Sequence, residues 1–276
     1  MDFQTTLASP AKHVGIGLHS GKEVTITLNA APPGTGIIFC RTDIDGLPQV
    51  AAKAANVTNT MRATTLENGS AKVFTVEHLL AALSGLQVDN CLVEISSAEP
   101  PVADGSALPF VHAIEKAGIR RQEAIRKKPI VITKTLVVRD LDKFIAILPY
   151  DGFRVTFTSV NPNPVIGVQF GDYEVTPEVF TKEIAPARTI GFMHEVAALK
   201  SKGLALGGNL ENAVVYDGEK VLTPLRFQDE LVRHKILDVI GDLSLVGRLR
   251  GHIIAVKSNH ALNTALASQI DDFFCK

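Results

Sequence analysis

The stretch LRFQDELVRHKILDVIGDLSLV carries a histidine and two carboxylates, His234, Asp238 and Asp242, at intervals of four residues. At about 100° per residue on a helix, these three fall within roughly 80° of one another. Ile236, Val239, Ile240 and Leu243 fall opposite, between about 140° and 240° from His234, as one apolar stripe that must face a core. An imidazole and a carboxylate one helical turn apart can reach a single cation, which is the local geometry of helical zinc sites. Two ligands leave a catalytic site incomplete. His78 is the candidate for the third, because Glu77 beside it would put a general base next to the water that a metal activates. Taken alone, an HxxxD pattern is more often a solvated helix face with a weak ion pair. What favours a metal is the conjunction of a second histidine-bearing helix in an equivalent place with two carboxylates where one would serve a surface pair.

Cysteine offers no competing ligand set. Cys40, Cys91 and Cys275 are odd in number and form no CxxC pair, which argues against both a disulfide framework and a thiolate zinc site. Cys40 and Cys91 sit in apolar strand settings and read as packing residues.

These side chains need elements to position them. EVTITL at 23–28 alternates as a strand, AAPPGTG turns the chain, and IIFC returns as its hairpin partner. After the ENGS turn comes VFTVEHLLAALSGL, a helix that Thr75 can cap and Gly85 ends, with Leu79, Leu80 and Leu83 as apolar positions. A strand at CLVEI, the loop PVADGSALP with Asp104 in an Asx turn, and a helix through FVHAIEKAG complete a first unit. The basic run RRQEAIRKKP, without apolar period and closed by Pro129, reads as a linker. IVITKTLVV, FIAILP and FRVTFTSV then restart a series of strands, and NAVVYDGEKVL gives a hairpin that leads into the His234 helix. Each half thus has a hairpin running into a helix that carries a histidine. We expect an α+β fold of two similarly built domains, residues 1–122 and 123–276, resembling a duplication.

Composition bounds the partners. With 276 residues, 46% hydrophobic and 21% charged, the chain can bury a sizeable core. Lys and Arg total 28 against 29 Asp and Glu, so a net charge of −1 gives no reason to expect nucleic acid or an acidic membrane surface as the main partner. The N-terminal stretch lacks a charged leader followed by an apolar run, and nowhere do about 18 apolar residues follow one another without a charge. The expectation is a cytoplasmic protein without membrane insertion.

Several motifs, in order, resemble UDP-3-O-acyl-N-acetylglucosamine deacetylase, the enzyme that removes acetate early in lipid A synthesis in Gram-negative bacteria. They are GIGLHSGKEVTITL, TVEHLLAAL with GLQVDN, PPVADGSALPFV, ARTIGFM, GLALGGNLENAVV, LRFQDELVRHKILDVIGDL and KSNHALN, spread from about residue 10 to about residue 265. The resemblance implies two α+β domains with their helical layers packed together between the sheets and the active site between the domains. It implies that His78, His234 and Asp238 hold zinc, which iron can replace in cells, and that Glu77 is the general base. It assigns Lys235 and His260 to the reacting carbonyl and the sugar nucleotide, Asp242 to orienting His260, and Thr189 to the oxyanion. The substrate would be UDP-3-O-(3-hydroxyacyl)-N-acetylglucosamine, and we expect a monomer.

The segment ARTIGFMHEVAALKSKGLALGGN places Met193, Val196 and Leu199 at helical spacing, which alone favours a core-facing helix. In the family this segment forms an apolar passage for the fatty acyl chain, and Ala205, Leu210 and Val215 would extend its wall. Two departures stand out. Ile190 occupies a position usually aromatic, and VNPNP at 160–164 replaces an aromatic-x-His-Pro pattern, which removes the expected uridine-stacking side chain. His19, in GLHSG, could meet the site or a second, inhibitory zinc as in relatives, or serve its loop. His13, His112, His194 and His252 match no role. The rival reading is another zinc amidase or peptidase with the same ligands.

Overall fold

The computed structural model describes residues 2–274, so Cys275 lies outside the described residues. The first half holds β1 (Phe3–Leu7), β2 (Ala11–Ile16), β3 (Glu23–Ala30), β4 (Ile37–Arg41), β5 (Gln49–Ala51), β6 (Val57–Asn59), β7 (Thr65–Asn68), β8 (Ala71–Phe74), α1 (Glu77–Gly85), β9 (Cys91–Ile95), α2 (Leu108–Ala117) and β10 (Ile119–Ile125). Its main sheet has the order β2-β3-β9-β4-β5, with β9 antiparallel to β3 and parallel to β4. Val24, Ile26 and Leu28 alternate inward along β3, as the EVTITL pattern requires. Hairpin β7-β8 leads directly into α1.

The second half repeats this plan. It runs through β11 (Ile130–Val131), β12 (Leu136–Asp140), β13 (Lys143–Leu148), β14 (Phe153–Val160), β15 (Val168–Glu174), the short α3 (Pro177–Val179), β16 (Ile190–Phe192), α4 (Met193–Ser201), β17 (Val214–Asp217), β18 (Lys220–Val221), α5 (Glu230–Leu243), β19 (Leu249–Val256) and α6 (His260–Phe274). The sheet order β12-β13-β19-β14-β15 has the same senses as the first, with β19 antiparallel to β13 and parallel to β14. Hairpin β17-β18 leads into α5 as β7-β8 leads into α1. The matched strand senses support the α+β plan of two like halves.

One apolar core runs through both halves, from Ile26, Phe39 and Val93 through Leu79 and Leu83 to Ile236, Val239, Val155 and Ile253. Helices α1 and α5 pack on each other, α5 packs on β14 and β15, and α6 packs on α5, β12 and β13. The crossing of α1 and α5 depends on Gly241: a Cβ there would lie 2.2 Å from the carbonyl oxygen of Glu77. A smaller cluster of Ile166, Val214, Tyr216 and Leu231 anchors the segment that carries α4.

Three expectations fail. EVTITL and IIFC are not hairpin partners: β9 lies between β3 and β4, antiparallel to the first and parallel to the second. Turn residues show that the chain reverses at AAPPGTG, but not that a strand from later in the sequence inserts between the two arms. Residues 119–125 are strand, paired antiparallel with β1, and Arg126 after them is nearly buried, bonded to Asp89 (2.7 Å) and Asp2 (3.0 Å). A two-stranded ribbon this exposed is held by backbone hydrogen bonds and needs no apolar period, which is why the run reads as linker. A division at 122/123 would cut β10, so we propose the following loop, 126–129, as the boundary. Thr75 is not the cap of α1 either. The N-cap is Val76, while Thr75 adopts a left-handed φ of 56° and donates its hydroxyl to Glu99 (2.9 Å).

Candidate active site

The face of α5 that bears His234, Asp238 and Asp242 is not solvated. It is turned toward α1, and all three residues are buried, as are Glu77 and His78 on the first turn of α1. The ligand atoms of His78, His234 and Asp238 lie within 4.8 Å of one another. His234 Nε2 stands 3.5 Å and His78 Nε2 3.9 Å from Asp238 Oδ1.

Four observations fit this cluster to a cation. Asp238 Oδ1 is buried without a hydrogen-bond partner, whereas Oδ2 accepts a hydrogen bond from Lys235 Nζ at 2.8 Å. A buried oxygen left unpaired is costly unless something positive meets it. His234 Nδ1 lies 3.0 Å from the Ala187 carbonyl; a carbonyl can only accept, so Nδ1 is the donor, and because burial lowers His234 the neutral ring keeps its lone pair on Nε2. Burial and the neighbouring His234 push His78 down to about 3, so its imidazole is neutral. Burial opposes ionisation of Asp238, yet Lys235 and the histidines hold its carboxyl well below the usual range. The donor set, two neutral imidazoles and one carboxylate, suits zinc and related divalent ions.

Beside this cluster stands a second one built on acid-base pairs. Burial pushes Glu77 up to about 7 against the pull of His260. His260, the first residue of α6, has Nε2 3.8 Å from Glu77 Oε1 and Nδ1 2.9 Å from Asp242 Oδ2. Burial alone would lower His260, but the Asp242 and Glu77 carboxylates outweigh it and bring it to about 10. Asn263, one turn along α6, donates a second hydrogen bond to Asp242 Oδ2 at 2.9 Å. Lys235 is likewise held in its charged form, burial being outweighed by Asp238.

Both clusters open on one cavity of about 630 Å³. Of the residues singled out in the sequence, Glu77, His78, His234, Lys235, Asp238, His260 and Thr189 line it, with Met193, Val196, Leu199, Ala205, Leu210 and Val215 along an apolar wall. Asp242 lies behind His260. α4 buries none of its residues, and Met193 remains 44% exposed, so periodicity alone misplaces that helix in the core. His19 also lines the cavity, its Nδ1 accepting a hydrogen bond from the Ala205 amide at 3.3 Å. The VNPNP loop stays outside; Asn163 donates to the Gly218 carbonyl at 2.6 Å and fastens that loop to the β17-β18 turn. Asp104 forms the expected Asx turn with Ser106 and also binds Arg226, and Cys40 and Cys91 are buried, with burial pushing Cys91 up to about 12.

Sequence reasoning missed the supports. Arg188 and Glu230 form a buried pair at 2.8 Å that fixes the segment before β16, with Ala187 and Thr189, against the first turn of α5. Glu99 accepts hydrogen bonds from the His19 and Ser20 amides (2.9 and 2.8 Å) as well as from Thr75. Helix α6 itself was visible only as KSNHALN, although His260 at its start is the residue that Asp242 orients.

A buried cluster of two histidines and one aspartate, with a carboxylate at its side and an apolar cavity above, is the arrangement of a metal-dependent hydrolase. The model of the UDP-3-O-acyl N-acetylglycosamine deacetylase family matches residues 4–272, and the chain belongs to that family. It is 48% identical over 273 residues to the UDP-3-O-acyl-N-acetylglucosamine deacetylase of Geobacter sp. (strain M21), covering 98% of this chain and 89% of that one. It is 45% identical over 276 residues to that of Hahella chejuensis (strain KCTC 2396), with 97% and 90% covered, and 48% identical over 270 residues to that of Myxococcus xanthus (strain DK1622), with 97% and 86% covered.

Proposed function

We propose that this chain is the zinc-dependent enzyme that hydrolyses the N-acetyl group of UDP-3-O-(3-hydroxyacyl)-N-acetylglucosamine, releasing acetate, in lipid A biosynthesis. The observation that carries the reading is the single cavity in which an apolar wall meets the His78, His234 and Asp238 cluster. A fatty acyl chain needs such a wall and a simple peptide substrate does not, which is why we prefer this reading to a general zinc amidase or peptidase.

His78, His234 and Asp238 would hold the ion, and a divalent ion with an open position supplies Lewis acidity to a water and to the acetamide carbonyl. Glu77, as carboxylate, takes the proton of the attacking water. Thr189 and Lys235, both on the cavity wall, are the donors suited to the developing oxyanion. His260, kept as imidazolium by Asp242, faces Glu77 across 3.8 Å, so the leaving amine has a proton source on that side of the site. Met193, Val196, Leu199, Ala205, Leu210 and Val215 would seat the acyl chain and set its preferred length.

Every residue of this site comes from one chain, so a monomer suffices. Among the described residues no helix is long and apolar enough to cross a membrane, in keeping with action in the cytoplasm on a water-soluble sugar nucleotide. The test is acetate release from a UDP-3-O-(3-hydroxyacyl)-N-acetylglucosamine, before and after chelation and after zinc is restored. Release that chelator abolishes and zinc recovers is expected; equal turnover of acetylated peptides would favour the rival reading.

A further inference from the structure

We infer that Thr64 is a positioning residue of the deacetylase, holding the base Glu77 and the His260 orienter Asp242 in one frame; the inference rests on the function proposed above. Thr64 is fully buried and stands just before β7. The register of hairpin β7-β8 pairs Thr65 with Phe74, which brings Thr64 alongside the chain entering α1. From there it uses two different donors. Its backbone N–H donates to Glu77 Oε2 at 3.1 Å, and its hydroxyl donates to Asp242 Oδ1 at 2.6 Å, on a helix 178 residues away in sequence.

The two bonds divide the four carboxylate oxygens in a useful way. Glu77 is held by Oε2, leaving Oε1 to face His260 at 3.8 Å. Asp242 is held by Oδ1, leaving Oδ2 for His260 and Asn263. Thr64 thus fixes the far oxygen of each acid, so that the near oxygens converge on the same imidazole from its two nitrogens. A hydroxyl is required for this because the single backbone N–H of Thr64 is already given to Glu77. Misplacing either acid by a fraction of an ångström would lower the rate without altering the metal ligands or the acyl passage.

The test compares Thr64→Val, which removes the hydroxyl and keeps the amide, with Thr64→Ser, which keeps both donors. Each is measured for kcat, KM, zinc content and thermal unfolding midpoint with the zinc-loaded enzyme. For T64V we expect kcat to fall by roughly 10- to 100-fold, the cost of losing a hydrogen bond to a charged group, with KM and zinc content unchanged. T64S should recover most of kcat even if its unfolding midpoint drops with T64V. A T64V enzyme with wild-type kcat, or a T64S enzyme as slow as T64V, would overturn the inference. If T64V does not fold, Thr64→Ala is judged by the same criteria, and failure of both to fold assigns Thr64 to the core instead. Absence of acetate release by the wild type would refute the function itself, a result distinct from any of these.

Discussion

Gly241 of α5 lies directly against the peptide of Glu77 in α1: a Cβ at 241 would approach the Glu77 carbonyl oxygen to 2.2 Å and its carbonyl carbon to 2.9 Å. The two helices that carry Glu77, His78, His234 and Asp238 are therefore in backbone contact at the site. Gly241→Ala must push them apart, because backbone atoms cannot rotate away as a side chain can. Overpacking of this kind costs about 1–3 kcal/mol, and we expect a lower denaturant midpoint. A shift of Glu77 by about 1 Å costs on the order of 100-fold in rate, so kcat should fall along with stability.

Replacing Glu77 by Gln keeps the shape and removes the proposed base. The rate should fall by roughly 100- to 10,000-fold, the range for loss of general base catalysis, while zinc remains bound, since Glu77 is not among the three clustered ligands. Metal analysis beside the rate measurement separates a base from a ligand.

The rate should follow a bell in pH. In the proposed mechanism Glu77 works as carboxylate, and burial raises it to about 7, so activity should climb as pH rises toward that value. A bound cation beside it favours the carboxylate and moves this limb lower. In the same mechanism His260 works as imidazolium and is held to about 10 by Asp242 and Glu77 despite its burial, so activity should decline as pH approaches that value. In His260→Gln the alkaline limb should disappear along with most of the rate. A profile of kcat/KM for the two proteins checks the assignment.

Narrowing the apolar wall should change chain-length preference more than chemistry. Leu199→Phe or Val215→Phe is expected to slow turnover of the longest acyl substrates by about 10-fold or more, each excluded methylene being worth about 1–3 kcal/mol, with short-chain substrates nearly unaffected. Rates across a series of acyl lengths read this directly.

Much of this site is legible in local sequence because it rests on local periodicity. The spacing of His234, Asp238 and Asp242 puts them on one face whatever the rest of the chain does, and the β17-β18 hairpin before α5 can be read from its Asp-Gly turn, whereas the pairing of EVTITL with IIFC cannot, since β9 inserts between them. That the face is buried cannot be read there, since burial depends on α1 arriving from the other half and on Gly241 letting it come close. Thr64 escaped notice for the same reason: its partner Asp242 is distant in sequence, and a threonine before a strand carries no periodic signal. The cavity-facing position of α4 was legible only through family resemblance, because Met193, Val196 and Leu199 have the spacing of a core helix.

The central claim is that His78, His234 and Asp238 together hold the catalytic ion. Zinc content of the wild type and of the three alanine variants, measured after removal of weakly bound metal, addresses it most directly. We expect about one tightly bound ion in the wild type and a loss of most of it in each variant, with acetate release lost in step. Unchanged stoichiometry in all three variants would contradict the assignment.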